Sequence, residues 1–207
     1  MKIEVSGFAN GSPIPGKFAF CVKDPKNHVA MSDNINPRVH WSEIPAGTKS
    51  FLLILVDKDV PSQGDKVNKE GMTVPADLPR VDFYHWVLAD IPLNITEIAE
   101  GAVSNGITAR GKNTGKTPYG VCGFNDYTGW FTGDKDMEGV YGGYDGPCPP
   151  WNDERLHHYT FRVYALDVTS LGLSGAFNGQ TAEKATKGHV LEIAEWHGTY
   201  TLNPQVG

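Results

Sequence analysis

The sequence predicts a mainly β fold with long surface loops and little helix, and three observations carry that reading. Twenty-four glycines and fourteen prolines in 207 residues supply many turns without making the chain low in complexity. Three segments have the length, β-branched and aromatic content and turn-rich flanks of strands. Helical periodicity is weak and confined to the C-terminal part. With 40% hydrophobic and 20% charged residues, residues 1–207 suit one globular domain with a sizeable core.

Taken in order, Lys2–Val5 and Phe18–Val22 read as short strands. "SFLLILV", Ser50–Val56, is a continuous apolar run between "PAGT" and "DKDVPS", the pattern of a strand buried on both faces. "FYHWVLADI", Phe83–Ile91, is aromatic and β-branched and stops at Pro92. "NITEIAEGA", around Thr96, is expected to give one helical turn. His158–Val168 alternates, with Phe161, Val163 and Ala165 on one face and Thr160, Arg162 and Tyr164 on the other. Thr181–Gly198 reads as one or two short helices interrupted at Gly188, and Thr199–Leu202 as a last strand. Two long loop regions, 62–80 and 111–156, separate the strong strands. Connections of that length are usually functional or mobile.

Charge and cysteine usage exclude several classes. The net charge is −6 and no basic stripe exists, which speaks against a nucleic-acid backbone as partner. The N-terminus lacks a continuous apolar core of signal-peptide length, and no apolar run is long enough to span a bilayer. Cys21, Cys122 and Cys148 are odd in number and widely spaced, which argues against a disulfide framework and for a reduced, cytoplasmic protein. No spacing matches a zinc signature, so neither metal nor cofactor is expected.

The residues able to carry chemistry gather at strand ends. Asp57 ends the apolar run, and Asp59, two positions on, shares its face if alternation continues. His85 opens the second strong strand, with Val87 and Ala89 on its expected face. An Asp57–His85 pair would fix the ring's tautomer and favour its charged form. In "GYDGPCPPWNDERLHHY", Gly143–Tyr159, the adjacent histidines diverge on a strand. His157 shares its side with Tyr159 and the apolar series, while His158 points to the polar, exposed side. Pro147, Pro149 and Pro150 stiffen the preceding segment, and Gly146 leaves room for close backbone approach. Such a loop suits an anion held by backbone N–H groups, or a rigid connector. A nucleophilic Cys148 with His157 as base is the enzymatic alternative, although flanking prolines deny the thiol a helix N-terminus.

Four segments together resemble the phosphatidylethanolamine-binding protein family, also called Raf kinase inhibitor-like proteins, in its prokaryotic branch. They are Asn34–Pro61, His85–Pro92, Tyr119–Gly129 and Tyr144–Asp167, about two-thirds of the chain. The resemblance implies an antiparallel β-sandwich, completed here by one or two short C-terminal helices. It also implies a small pocket for phosphate, phosphorylated head groups or similar anions. Its motifs fall on Asp57, Asp59, His85, Gly146, Pro147, His157 and Tyr159. Lys58 and Val60 depart from the usual proline and alanine, Asn36 from serine and His158 from arginine. The 62–80 segment is longer than in compact members and is placed to cover or extend the pocket.

The function expected is therefore non-catalytic binding of a small anion, with His85 and His157 as donors beside backbone N–H groups near Gly146 and the Tyr159 hydroxyl. The family's kinase- and protease-inhibitor roles suggest a regulator, and its prokaryotic branch allows a homodimer. A small hydrolase using Cys148 or an Asp57–His85 pair is the alternative.

Overall fold

The computed structural model describes residues 1–174 and 176–206. Its strands are, in chain order, β1 (Lys2–Val5), β2 (Ser12–Pro13), β3 (Cys21–Asp24), β4 (His28–Met31), β5 (Val39–Ser42) and β6 (Ser50–Pro61). There follow β7 (Arg80–Pro92), β8 (Glu97–Ile98), β9 (Gly115–Thr117), β10 (Gly120–Cys122), β11 (His157–Leu166) and β12 (Val190–Tyr200). Helix is confined to α1 (Tyr127–Trp130), α2 (Gly179–Ala185) and a 3-10 turn at Gly16–Phe18.

The apolar run of β6 lies mid-sheet because both its faces need cover. The large sheet runs β2-β12-β11-β6-β7-β10-β9, antiparallel except where β2 meets β12. Phe51, Leu53 and Leu55 point into one core, shared with Val5, Val39, Trp41 and Ile98 of the small β1-β5-β8 sheet. Leu52, Ile54 and Val56 point into the other, under Phe177 and Ala182 of the α2 region. All six side chains are fully buried, and each Leu or Ile among them contributes about 1.5–3 kcal/mol by leaving water. Two packed sheets with a helix on the outer face are the β-sandwich expected.

Four local expectations change. Phe18 closes the 3-10 turn, and the strand begins only at Cys21. The segment around Thr96 pairs with β5 as β8 instead of forming a helical turn. The C-terminal helix stops at Ala185, its N-cap Asn178 accepting the Thr181 N–H at 3.0 Å. Beyond Gly188, at φ 84°, the chain becomes β12 and pairs with β11 along its whole length. The Leu, Glu and Ala of "VLEIAEW" favour helix locally, but the ladder to β11 overrides that weak preference. Finally, Cys21 and Cys148 form a disulfide across 127 residues, so the expectation of three reduced cysteines is corrected. An odd count left the pairing open, and only folding brings the start of β3 against the proline loop. Cys122 remains free and buried.

Candidate functional site

Cross-strand pairing sets the floor of the site. Asp57 on β6 sits between Tyr159 on β11 and Phe83 on β7, so the three side chains share one face of the sheet. They line a cavity of about 190 Å³ that also takes in His85, Tyr127 and the Cys148–Pro150 loop. Trp130, half exposed, stands at its lip.

His85 reaches this cavity through a β-bulge. Leu55 pairs with Trp86 and Val56 with Tyr84, so His85 is an extra residue with no partner on β6. A bulge turns side chains off the strand's alternation. Tyr84 therefore packs with Val87 and Ala89, while His85 swings to the opposite face and meets Tyr159 and Tyr127 edge-on at 5.3 and 5.5 Å. A second irregularity follows Asp57. It directs Val60 into the cavity and takes Asp59 out of it. Asp59 instead accepts from Arg155 Nη1 and from the N–H and Nδ1 of exposed His158.

Asp57 pairs with His157, not with His85. His157 Nδ1 donates to Asp57 Oδ2 at 2.7 Å and Nε2 donates to Asp153 Oδ2 at 3.1 Å. Burial alone would lower the His157 pKa; the two carboxylates outweigh it and push it up to about 9. The ring is therefore charged at neutral pH, with both N–H groups spent. Behind it, Arg80 makes a bidentate pair with Asp153, and its remaining donors reach the carbonyls of Asp59, Pro75 and Leu78. The four buried charges alternate in sign and balance, as a buried ionic network must.

His85 is held differently. Its Nδ1 lies 2.8 Å from the Asp145 carbonyl, which only accepts, so Nδ1 carries the hydrogen. Nε2 faces the cavity with no hydrogen-bond partner among the described residues. Burial pulls the His85 pKa below the ordinary histidine value, against the opposing pull of Asp57. The Tyr159 hydroxyl is buried and makes no well-formed hydrogen bond, although Asp57 stands close enough to compete for its proton. Burial and the neighbouring Asp57 charge raise its pKa, so it keeps its proton.

Gly146 and Pro147 act behind the wall. The Gly146 N–H donates to Asn34 Oδ1 at 2.8 Å, so it is not open to an anion. A Cβ at Gly146 would fall 1.9 Å from the Phe18 carbonyl oxygen; the close approach that requires glycine is to the protein's own chain. The Pro147 carbonyl accepts from the N–H groups of Phe20 and Cys21. Pro149 and Pro150 are the prolines that face the cavity. Cys148 is bonded to Cys21 and has no thiol for nucleophilic attack.

Several supporting residues escaped sequence reasoning. Asp145 accepts from Asn34, Lys112 and Asn125 at 2.7–2.8 Å and fixes the carbonyl that orients His85. Tyr127 donates to the Gly146 carbonyl. Asn152 ties down the long 62–80 loop by donating to the carbonyls of Lys66 and Met72 and accepting the Asn68 N–H. Gly64, Val67 and Asn68 of that loop line the cavity, as its length suggested. A polar cluster in "YDGPC" and "WND" was the available signal, but these partners lie 19 to more than 100 residues away. Among the described residues no cluster of three or more His, Cys, Asp or Glu could hold a metal, and no helix is long and apolar enough to cross a membrane.

Comparison with known proteins agrees with this architecture. The phosphatidylethanolamine-binding protein family profile matches residues 4–201. An UPF0098 protein of Aquifex aeolicus is 30% identical over 200 residues, 97% of this chain and 88% of that one. An UPF0098 protein of Methanothermobacter thermautotrophicus is 32% identical over 177 residues, 85% of this chain and 89% of that one. The crystal structure of a phosphatidylethanolamine-binding protein homolog, CT736 of Chlamydia trachomatis, superposes with a TM-score of 0.62 at 25% identity, covering 96% of this chain and 95% of that one. Escherichia coli YbcL shares the fold, with a TM-score of 0.68 at 22% identity over 97% of each chain.

Proposed function

Because the chain belongs to the phosphatidylethanolamine-binding protein family, a membership that supports a binding role, we propose that residues 1–207 form one non-catalytic binding domain. Its ligand is a small acidic group, a phosphate or phosphorylated head group, carried on an apolar or aromatic body. One observation carries the reading: the unpartnered Tyr159 hydroxyl and the free Nε2 of His85 converge in a cavity otherwise lined by Phe83, Tyr127, Trp130, Val60 and prolines. A buried polar group without a partner, as the Tyr159 hydroxyl is, costs about 1–3 kcal/mol, and a ligand that accepts from it while bonding to His85 Nε2 recovers that cost. The apolar walls supply the rest of the affinity.

Of the anticipated site residues, His85, Tyr159 and Asp57 face the ligand. His157 holds Asp57, while Asp59, Gly146 and Pro147 shape the surrounding wall. The homodimer that the resemblance allows stays outside the proposal. Kinase or protease inhibition, also implied by the resemblance, has no particular surface to support it and stays outside the proposal. The Cys21–Cys148 bond favours an oxidising compartment over the cytoplasm expected from the cysteine count.

Calorimetric titration with phenyl phosphate tests the site. Tyr159→Phe should weaken binding by about 10- to 150-fold, the worth of one buried hydrogen bond to a charged group. An unchanged affinity in that variant would place the ligand elsewhere.

A further inference from the structure

We infer that the cavity reads the protonation state of its ligand, accepting oxyanions that still carry a hydrogen and rejecting those that are fully ionised. The inference rests on the site proposed above and narrows its ligand class to phosphomonoesters over sulfate esters of the same shape.

The donor and acceptor inventory of the floor carries it. His85 Nδ1–H is committed to the Asp145 carbonyl at 2.8 Å, so the neutral ring offers a lone pair at Nε2 and no hydrogen. Asp57, also lining the cavity, offers carboxylate oxygens that already accept from the Asp59 N–H and His157 Nδ1. Among the described floor residues only the Tyr159 hydroxyl can donate; the amide of Asn68 and the indole N–H of Trp130 belong to the loop and lip of the cavity.

Among the described residues no lysine or arginine lines the cavity. The groups facing His85 are Asp57 from β6, His157 and Tyr159 from β11, Tyr127 from α1 and Asp145 from the loop. His157 has both nitrogens on carboxylates. Arg80 is closed by Asp153 and three carbonyls. Lys112 is occupied by Asp145 and the Tyr144 carbonyl. A fully ionised oxyanion seated on the floor would set its lone pairs against those of His85 and Asp57 and have one floor donor to meet. An oxyanion bearing one hydrogen bridges Nε2 or Asp57 with it and takes the Tyr159 O–H on another oxygen. Whether that hydrogen rests on the ligand or passes to Nε2 in the complex, the bound state contains it.

Phosphomonoesters lose their second proton near pH 6, whereas sulfate monoesters carry none at any pH where the protein is folded. Calorimetry with phenyl phosphate and phenyl sulfate between pH 5.5 and 8.5 separates the cases. The expected result is phenyl phosphate binding at least tenfold tighter at pH 6, with an affinity falling toward tenfold per pH unit above pH 7. His85→Gln, which places an amide donor at the floor, should narrow the phosphate-to-sulfate ratio; Asp57→Asn checks the same point from β6. Equal affinity for the two esters, or a phosphate affinity flat across this range, overturns the inference while leaving the site intact. Binding of neither ester overturns the site reading and the inference with it.

Discussion

His157 is the residue whose charge state matters most to the fold, and its environment makes a prediction with a definite sign. Its folded pKa, about 9, lies above the unfolded value near 6.5. The stabilisation is therefore fully present below pH 6.5 and is lost as pH rises through about 9, amounting to about 3 kcal/mol. Urea denaturation should show stability falling between pH 6.5 and 9.5 in the wild type and a flatter dependence in His157→Gln. Equal slopes would contradict the assignment. Removing the ring altogether, as in His157→Ala, leaves Asp57 and Asp153 without their shared cation. The expected cost at pH 7 is about 3–5 kcal/mol, measured in the same way. His85 has the opposite character. Its lowered pKa means that acidification below pH 6.5 works against the folded, ligand-free protein.

Two elements form the cavity walls, and each is held by a feature that can be removed. The proline loop is tethered by Cys21–Cys148 and by the two N–H bonds to the Pro147 carbonyl. Cross-links closing loops of this length stabilise by about 2–5 kcal/mol, so Cys21→Ser with Cys148→Ser should lower the thermal midpoint measurably. It should also weaken ligand binding, because Cys148 lines the cavity. A lowered midpoint with unchanged affinity would show that the tether serves stability alone. The opposite wall, the 62–80 loop, hangs on Asn152. Asn152→Ala should cost about 1–3 kcal/mol and speed amide exchange at Asn68 and Val74, whose N–H groups are anchored to residue 152. Protected amides there in the variant would mean the loop is held by other contacts.

At the scale of the molecule, local composition was enough to find the strands that make the sandwich. β6, β7 and β11 are written as apolar or alternating runs, and the face shared by His157, Tyr159 and Phe161 follows from that alternation. What stayed hidden depends on pairing between distant segments. The bulge that brings His85 round to Tyr159, and the irregularity that removes Asp59, exist only in the register of β6 against β7. The His157–Asp57–Asp153–Arg80 network joins three parts of the chain, and the disulfide joins two. β12 was hidden for another reason: its residues favour helix until β11 is beside them. The anion-binding account changes accordingly, from two charged histidines as donors to one neutral histidine as acceptor beside one hydroxyl.

The central claim, that the ligand sits on His85 and Tyr159 with His85 neutral in the free protein, is tested most directly by nitrogen NMR of the histidine rings during a phenyl phosphate titration at pH 6.5. The free protein should show His85 as the Nδ1–H tautomer, and ligand should move His85 Nε2 most. His157, bonded at both nitrogens, should keep its doubly protonated signature throughout. A His85 signal unmoved at saturating ligand, or one already doubly protonated before ligand is added, would contradict the account.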